Sequence, residues 1–97
     1  MPKSPHLAVM TLKFQVYGCN SLKDKRRVFS AMRRLWGKHP DLAVAEIDDQ
    51  DDLDFATWCV VTSGPSPKRL QQRLQAVEQE ILERIDAPIL DTHFEMT

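Results

Sequence analysis

The feature that most constrains the fold of this 97-residue chain is the order in which its apolar residues repeat. A spacing of two residues is typical of a half-buried strand, and spacings of three and four are typical of an amphipathic helix. Along the chain the spacing is first that of a strand, then of a helix, of two strands, of a second helix and of a last strand. The sequence therefore predicts four strands and two helices.

The first strand is predicted over residues 6–17, where apolar side chains occupy every second position. Ser21 suits the N-cap of the first helix because its hydroxyl can accept a hydrogen bond from a free backbone N–H. That helix is predicted to end near Gly37, as a C′ glycine, since Pro40 prevents its continuation.

The remaining strands are predicted over residues 41–48, 55–63 and 89–96, and an acidic turn over residues 48–54 separates the first two of them. The second helix begins at Pro67, a residue that suits the first helical position. Its apolar stripe consists of Leu70, Leu74, Val77, Ile81 and Ile85.

This order of elements favours an α+β fold, the ferredoxin-like plait βαββαβ. Right-handed crossovers then give an antiparallel four-stranded sheet of order 4-1-3-2, with both helices on one face. We expect a short N-terminal tail over residues 1–5 and a single domain over residues 6–97.

The net charge of −1 conceals two patches of opposite sign. Residues 1–39 carry nine Lys or Arg against one acid, whereas residues 40–56 carry seven acids and no Lys or Arg. Six cations are predicted on the outward face of the first helix, and we interpret this face as a binding site for RNA phosphates. They are Lys23, Arg26, Arg27, Arg33, Arg34 and Lys38. The alternative is that the acidic turn, at the same end of the domain, neutralises the patch internally.

Lys25 differs from these cations because it falls within the apolar arc of the first helix. Glu46 follows two apolar residues on the predicted inner face of the second strand. A structural ion pair between Lys25 and Glu46 is expected, since each would otherwise be a poorly solvated charge.

The third strand has two possible registers. Either Ala56, Trp58 and Val60 face the core, or the residues between them do. In the second case Trp58 lies on the helix-free face of the sheet, where it can stack on an RNA base or pack in a homodimer.

Several function classes lack their sequence signatures. Cys19, Cys59 and the histidines show no zinc-ligand spacing. The acidic turn lacks the glycine and the closing glutamate of an EF-hand, although loose binding of a divalent ion there stays open. No nucleophile motif or Gly-rich phosphate loop occurs. We therefore predict no catalytic residue, no cofactor and no metal.

The sequence also predicts a cytoplasmic protein. Its first residues do not resemble a signal peptide, and no apolar stretch approaches the roughly 18 residues of a membrane span. Two cysteines are too few for a disulfide framework, so they are expected to stay reduced, and no membrane partner is expected.

Two segments carry a resemblance to a known family: Ser-Leu-Lys-Asp-Lys-Arg-Arg-Val at residues 21–28 and Val-Ala-Glu-Ile-Asp-Asp-Gln-Asp at residues 44–51. Both resemble signatures of the YlxP-like family of small bacterial proteins, and the order of elements agrees over about residues 7–96. The resemblance implies an alpha-beta plait without an assigned activity. Because members tend to be encoded near translation and ribosome-maturation factors, it also implies association with RNA.

These observations favour a non-enzymatic protein that binds ribosomal or other structured RNA through its basic first helix. The alternative is a homodimeric protein–protein adaptor, paired through the open sheet face, that does not bind nucleic acid.

Overall fold

The computed structural model of the protein describes residues 5–97. The predicted tail over residues 1–5 therefore lies outside the described residues, apart from Pro5. Four strands and two α-helices follow one another in the predicted order, with a 3₁₀ turn over Trp36–Lys38 after the first helix. Their bounds are β1 His6–Gln15, α1 Leu22–Arg34, β2 Leu42–Asp48, β3 Phe55–Gly64, α2 Pro67–Arg84 and β4 Ile89–Met96.

The four strands form one antiparallel sheet of order β2-β3-β1-β4, which confirms the predicted plait. β1 and β3 are the central strands, and β2 and β4 are the edges. Consecutive strands β2 and β3 form a hairpin, and the predicted acidic turn connects them. This hairpin pairs irregularly between Glu46 and Asp48, where a bulge precedes the turn.

A single core lies between the sheet and the two helices. Phe29 of α1 packs edge-on against Phe14 of β1, with 5.0 Å between ring centroids, and stacks on Trp58 of β3 at 6.1 Å. Trp58 pairs across the strands with Leu12, so both side chains point towards the helices. Since Trp58 is only 3% exposed, the hypothesis that places it on the helix-free face is wrong.

Both helices begin at a serine cap, as predicted for α1. The Ser21 hydroxyl accepts from the Asp24 N–H at 3.1 Å, and Ser66 accepts from the Arg69 N–H at 3.4 Å. The prediction of Gly37 as the C′ residue is wrong, because α1 ends at Arg34 and Gly37 lies in the 3₁₀ turn without a positive φ.

The early end of α1 accompanies the burial of Trp36, which is 2% exposed. Its indole N–H donates to the Glu80 carboxylate of α2 at 3.4 Å, so the 3₁₀ turn joins the two helices. A second polar contact joins β2 to α2: the Arg73 guanidinium donates to both carboxylate oxygens of Asp41, at 2.8 and 3.3 Å. This contact lowers the pKa of the Asp41 carboxyl. Neither helix of residues 5–97 is long and apolar enough to cross a bilayer.

Candidate nucleic-acid interface

The six predicted cations form an exposed surface along α1 and the 3₁₀ turn, which we call the basic face. All six side chains are exposed, and none makes an ion pair within 4 Å with another residue of the described chain. Its members are Lys23, Arg26, Arg27, Arg33, Arg34 and Lys38. The cations therefore keep their hydrogen-bonding capacity for a ligand.

The helical repeat divides the basic face into two rows. At about 100° per residue, Lys23, Arg27 and Arg34 fall within about 40° of one another on the outer line of α1. Arg26 and Arg33 fall about 60–80° to one side of Lys23, over the hairpin. At about 1.5 Å per residue the outer row extends over about 16 Å, a distance that covers several phosphates of one nucleic-acid strand.

The acidic turn does not pair with the basic face. Asp49 accepts a hydrogen bond from the Thr57 hydroxyl at 2.6 Å, and Asp52 accepts from the Asp54 N–H at 2.7 Å. Asp48 accepts from the N–H of the next residue at 2.8 Å. These carboxylates bond to the hairpin itself, so the predicted internal neutralisation is not observed as ion pairs in the described residues.

The side chain of Lys25 contacts the backbone of the acidic turn. The side chain is 2% exposed, and its ammonium donates to the carbonyl oxygens of Asp49 and Asp52, the latter at 2.6 Å. Lys25 forms no ion pair with Glu46, so the prediction of this partner is wrong. The expected burial of Lys25 is observed. The bulge after Glu46 brings carbonyls of the turn to the ammonium, and these satisfy its charge instead.

The turn adopts the conformation that these two bonds require. Asp49 has a φ of 60°, a left-handed value that aspartate tolerates better than most residues. Its N–H and carboxylate are both bonded, and its carbonyl also accepts from the Asp52 N–H at 3.1 Å. Lys25 therefore fixes the hairpin turn against the first turns of α1.

Above Lys25, α1 and the β2–β3 hairpin enclose a cleft of about 390 Å³, which we call the α1–hairpin cleft. Arg26 and Arg33 of the basic face line one wall. The Arg33 guanidinium lies 5.1 Å from the centroid of the Trp58 ring, over its face. Glu46 and Asp51 line the opposite wall, so the cleft carries both signs of charge.

Ser30 lines the cleft and had no role in the sequence predictions, whereas Gln50 and Asp51 belong to the second family signature and to the acidic turn but were not assigned to a binding site. One signal was available, because Arg26, Ser30 and Arg33 are spaced by four and three residues and therefore share one side of α1. The turn residues were marked by the signature at residues 44–51, which does not show that they face α1, because their positions depend on the bulge.

Metal binding has no support in the geometry. Within residues 5–97, no three His, Cys, Asp or Glu side chains are grouped so that they could hold a metal ion. Both cysteines are free and partly buried, and burial raises the pKa of the Cys59 thiol.

The helix-free face of the sheet has an apolar centre. Val9, Cys59 and Val61 are partly buried there, and Leu7 at its margin is 45% exposed. A homodimer through this face stays a prediction.

One family description matches the sequence over residues 7–94: "Protein of unknown function (DUF503)". The match includes both helices, β2 and β3 in full and most of β1 and β4. No curated protein shows significant sequence similarity to the chain.

Three solved structures are similar to the chain at low sequence identity. The periplasmic domain P4 of SecDF has 14% identity and a TM-score of 0.44, and the alignment covers 98% of this chain and 91% of that one. SnoaB, a cofactor-independent oxygenase from Streptomyces nogalater, has 10% identity and a TM-score of 0.48, with 94% of this chain and 90% of that one covered. A dimeric ferredoxin-like protein from an uncultured marine organism has 7% identity and a TM-score of 0.43, with 97% of this chain and 92% of that one covered. At these values no activity is transferred to this chain.

Proposed function

Since the chain belongs to the DUF503 family of proteins of unknown function, we propose from its own surface that it binds ribosomal or other structured RNA in the cytoplasm, without catalysis. One observation carries the proposal: six exposed cations lie along α1 and the 3₁₀ turn, and none makes an ion pair within the described chain. Phosphate oxygens accept hydrogen bonds from Lys and Arg, and such contacts supply most sequence-independent affinity for nucleic acids.

The resemblance to YlxP-like proteins supports the proposal, since members of that family tend to be encoded beside translation factors. Gene neighbourhood indicates a shared process and no mechanism, whereas the basic face is a structural feature of this protein. The competing function is the homodimeric adaptor, which the apolar centre of the helix-free face favours.

Charge reversal on the outer row tests the proposal. In the variant Arg27→Glu/Arg34→Glu, two phosphate contacts are lost and two repulsions are added, so affinity for a structured RNA should fall by more than an order of magnitude. The slope of log K against log salt should become shallower by about 1.8 for a duplex, because each contact contributes about 0.9. Gel-shift titrations at several salt concentrations measure both quantities.

The matched control is Lys68→Glu/Arg69→Glu, which makes the same change of charge on exposed residues of α2. It should retain most of the affinity if the binding face is on α1. Thermal melts of both variants should stay close to that of the wild type, because exposed charges contribute little to stability. If the wild type has no affinity for RNA at low salt, the proposal is wrong, and sedimentation of the unmutated protein then tests the adaptor.

A further inference from the structure

The two walls of the α1–hairpin cleft present opposite hydrogen-bonding groups. On α1, the guanidinium groups of Arg26 and Arg33 offer donors, whereas the Ser30 hydroxyl already donates to the Arg27 carbonyl at 3.1 Å. On the hairpin side, the Glu46 and Asp51 carboxylates offer only acceptors. A ligand that fits both walls must combine an anionic group with adjacent hydrogen-bond donors.

Glu46 and Trp58 determine the chemistry deepest in the cleft. They pair directly across β2 and β3, so their side chains lie side by side on the face that points towards the helices. Glu46 is partly buried, and Trp58 is almost completely buried. The indole N–H of Trp58 has no hydrogen-bond partner, although nearly all buried polar groups in proteins have one.

Gln50 adds an acceptor to the same wall. Its amide nitrogen donates to the backbone carbonyl of Glu46 at 3.5 Å, which leaves the amide oxygen free. Lys25 lies below, with two of its three ammonium N–H groups bonded to carbonyls of the turn. The inner part of the cleft thus places the Glu46 carboxylate beside the Trp58 ring, whose indole N–H is itself buried.

We propose that the α1–hairpin cleft binds one unpaired guanine nucleotide of the RNA. The inference rests on the proposed function and assigns a base preference to the same surface. The guanine edge presents two adjacent donors, N1–H and the 2-amino group, which match the two oxygens of one carboxylate. Adenine and cytosine each present a single amino group, and uracil presents a single N–H. Arg26 and Arg33 face the phosphate side of the nucleotide, and Glu46 accepts from the base.

The size of the cleft agrees with one nucleotide. A volume of about 390 Å³ lies near the lower end of the range of about 300–1,000 Å³ that small-molecule sites occupy. The Arg33 guanidinium offers a flat surface on which a base can stack, because it lies over the Trp58 ring at the edge of the same cleft.

Short oligouridine probes with one central guanosine, inosine, adenosine or cytidine test the inference by fluorescence anisotropy at one low salt concentration. The guanosine probe should bind about tenfold more tightly than the adenosine and cytidine probes, as expected of a bidentate contact. Inosine, which lacks the 2-amino group, should lose most of that preference. Equal affinities for all probes would overturn the guanine site and leave the phosphate-binding face intact. No affinity for any probe would reject the guanine site alone if structured RNA still binds in the gel shift, and both proposals if it does not.

Glu46→Gln should abolish the preference for guanosine and leave the affinity for unsubstituted oligouridine nearly unchanged. Glu83→Gln is the matched control, since Glu83 is exposed on α2 and the substitution makes the same change of charge. A preference for guanosine that survives Glu46→Gln would contradict the inference.

Discussion

Replacing Lys25 by methionine removes the only side chain in the described structure that bonds α1 to the backbone of the hairpin turn. The lysine is 2% exposed, and its ammonium donates to the carbonyls of Asp49 and Asp52. Methionine has a similar length and no charge, so the substitution deletes both hydrogen bonds and retains much of the packing.

The expected loss follows from what remains after the substitution. Two hydrogen bonds from a charged donor are lost, and such bonds contribute about 1.5–3 kcal/mol each; the Asp52 carbonyl is left without this partner, whereas the Asp49 carbonyl keeps the bond from the Asp52 N–H. The gain from no longer burying an ammonium offsets part of this cost. We expect the free energy of unfolding to fall by about 3 kcal/mol, which for a domain of this size lowers the melting temperature by about 12–24 °C.

Urea unfolding of Lys25→Met, followed by tryptophan fluorescence, measures this loss. Lys23→Met is the matched control, because Lys23 is exposed two residues earlier in the same helix, and its substitution should leave stability unchanged or raise it by up to about 1 kcal/mol. A double-mutant cycle with Glu46→Gln should give little coupling, since the two side chains form no ion pair. If Lys25→Met is as stable as Lys23→Met, or if the cycle gives strong coupling to Glu46, the assignment of the carbonyls as partners is wrong.

Two further predictions concern groups with shifted pKa values. Because Arg73 lowers the pKa of Asp41 in the folded protein, their contact stabilises the fold above the unfolded pKa of about 3.9 and is lost as pH falls through the lower folded value. Asp41→Asn should therefore cost less than about 1 kcal/mol at neutral pH, given the partial exposure of both side chains, and the difference from wild type in urea melts should vanish in strong acid. Burial raises the pKa of the Cys59 thiol, so in a Cys19→Ser variant iodoacetamide should alkylate the folded protein more slowly than the urea-unfolded one at mildly alkaline pH; equal rates would contradict this.

The order of elements was predictable because each amphipathic pattern determines one element locally, and few sheet orders satisfy the handedness of the crossovers. The orientation of Trp58 was not predictable in the same way. β3 is a central strand with apolar residues in both alternations, so its register depends on the contact with Phe29 rather than on its own pattern.

The site shows the same division between local and tertiary causes. Burial of Lys25 followed from its place in the apolar arc of α1, which is a property of the sequence. Its partners did not follow, because backbone carbonyls carry no signature in a sequence and their position depends on a bulge and on the positive φ of Asp49. The outward cations were predictable as a row, whereas the opposing wall of the cleft depends on how the hairpin folds over α1.

The position of the cations along α1 gives a further reason to connect them with a ligand. Lys23 lies in the first turn, near the positive end of the helix dipole, where a cation is unfavourable by about 0.3–1 kcal/mol, and Arg26 and Arg27 follow in the second turn. Asp24 is the only acid in that turn, and it bonds to the Asn20 N–H rather than to these cations. No ion pair within the described residues compensates for the cost, so folding alone gives no reason for this arrangement. Bound phosphates would make the electrostatic energy of this end of the helix favourable, because the field that disfavours a cation here favours an anion.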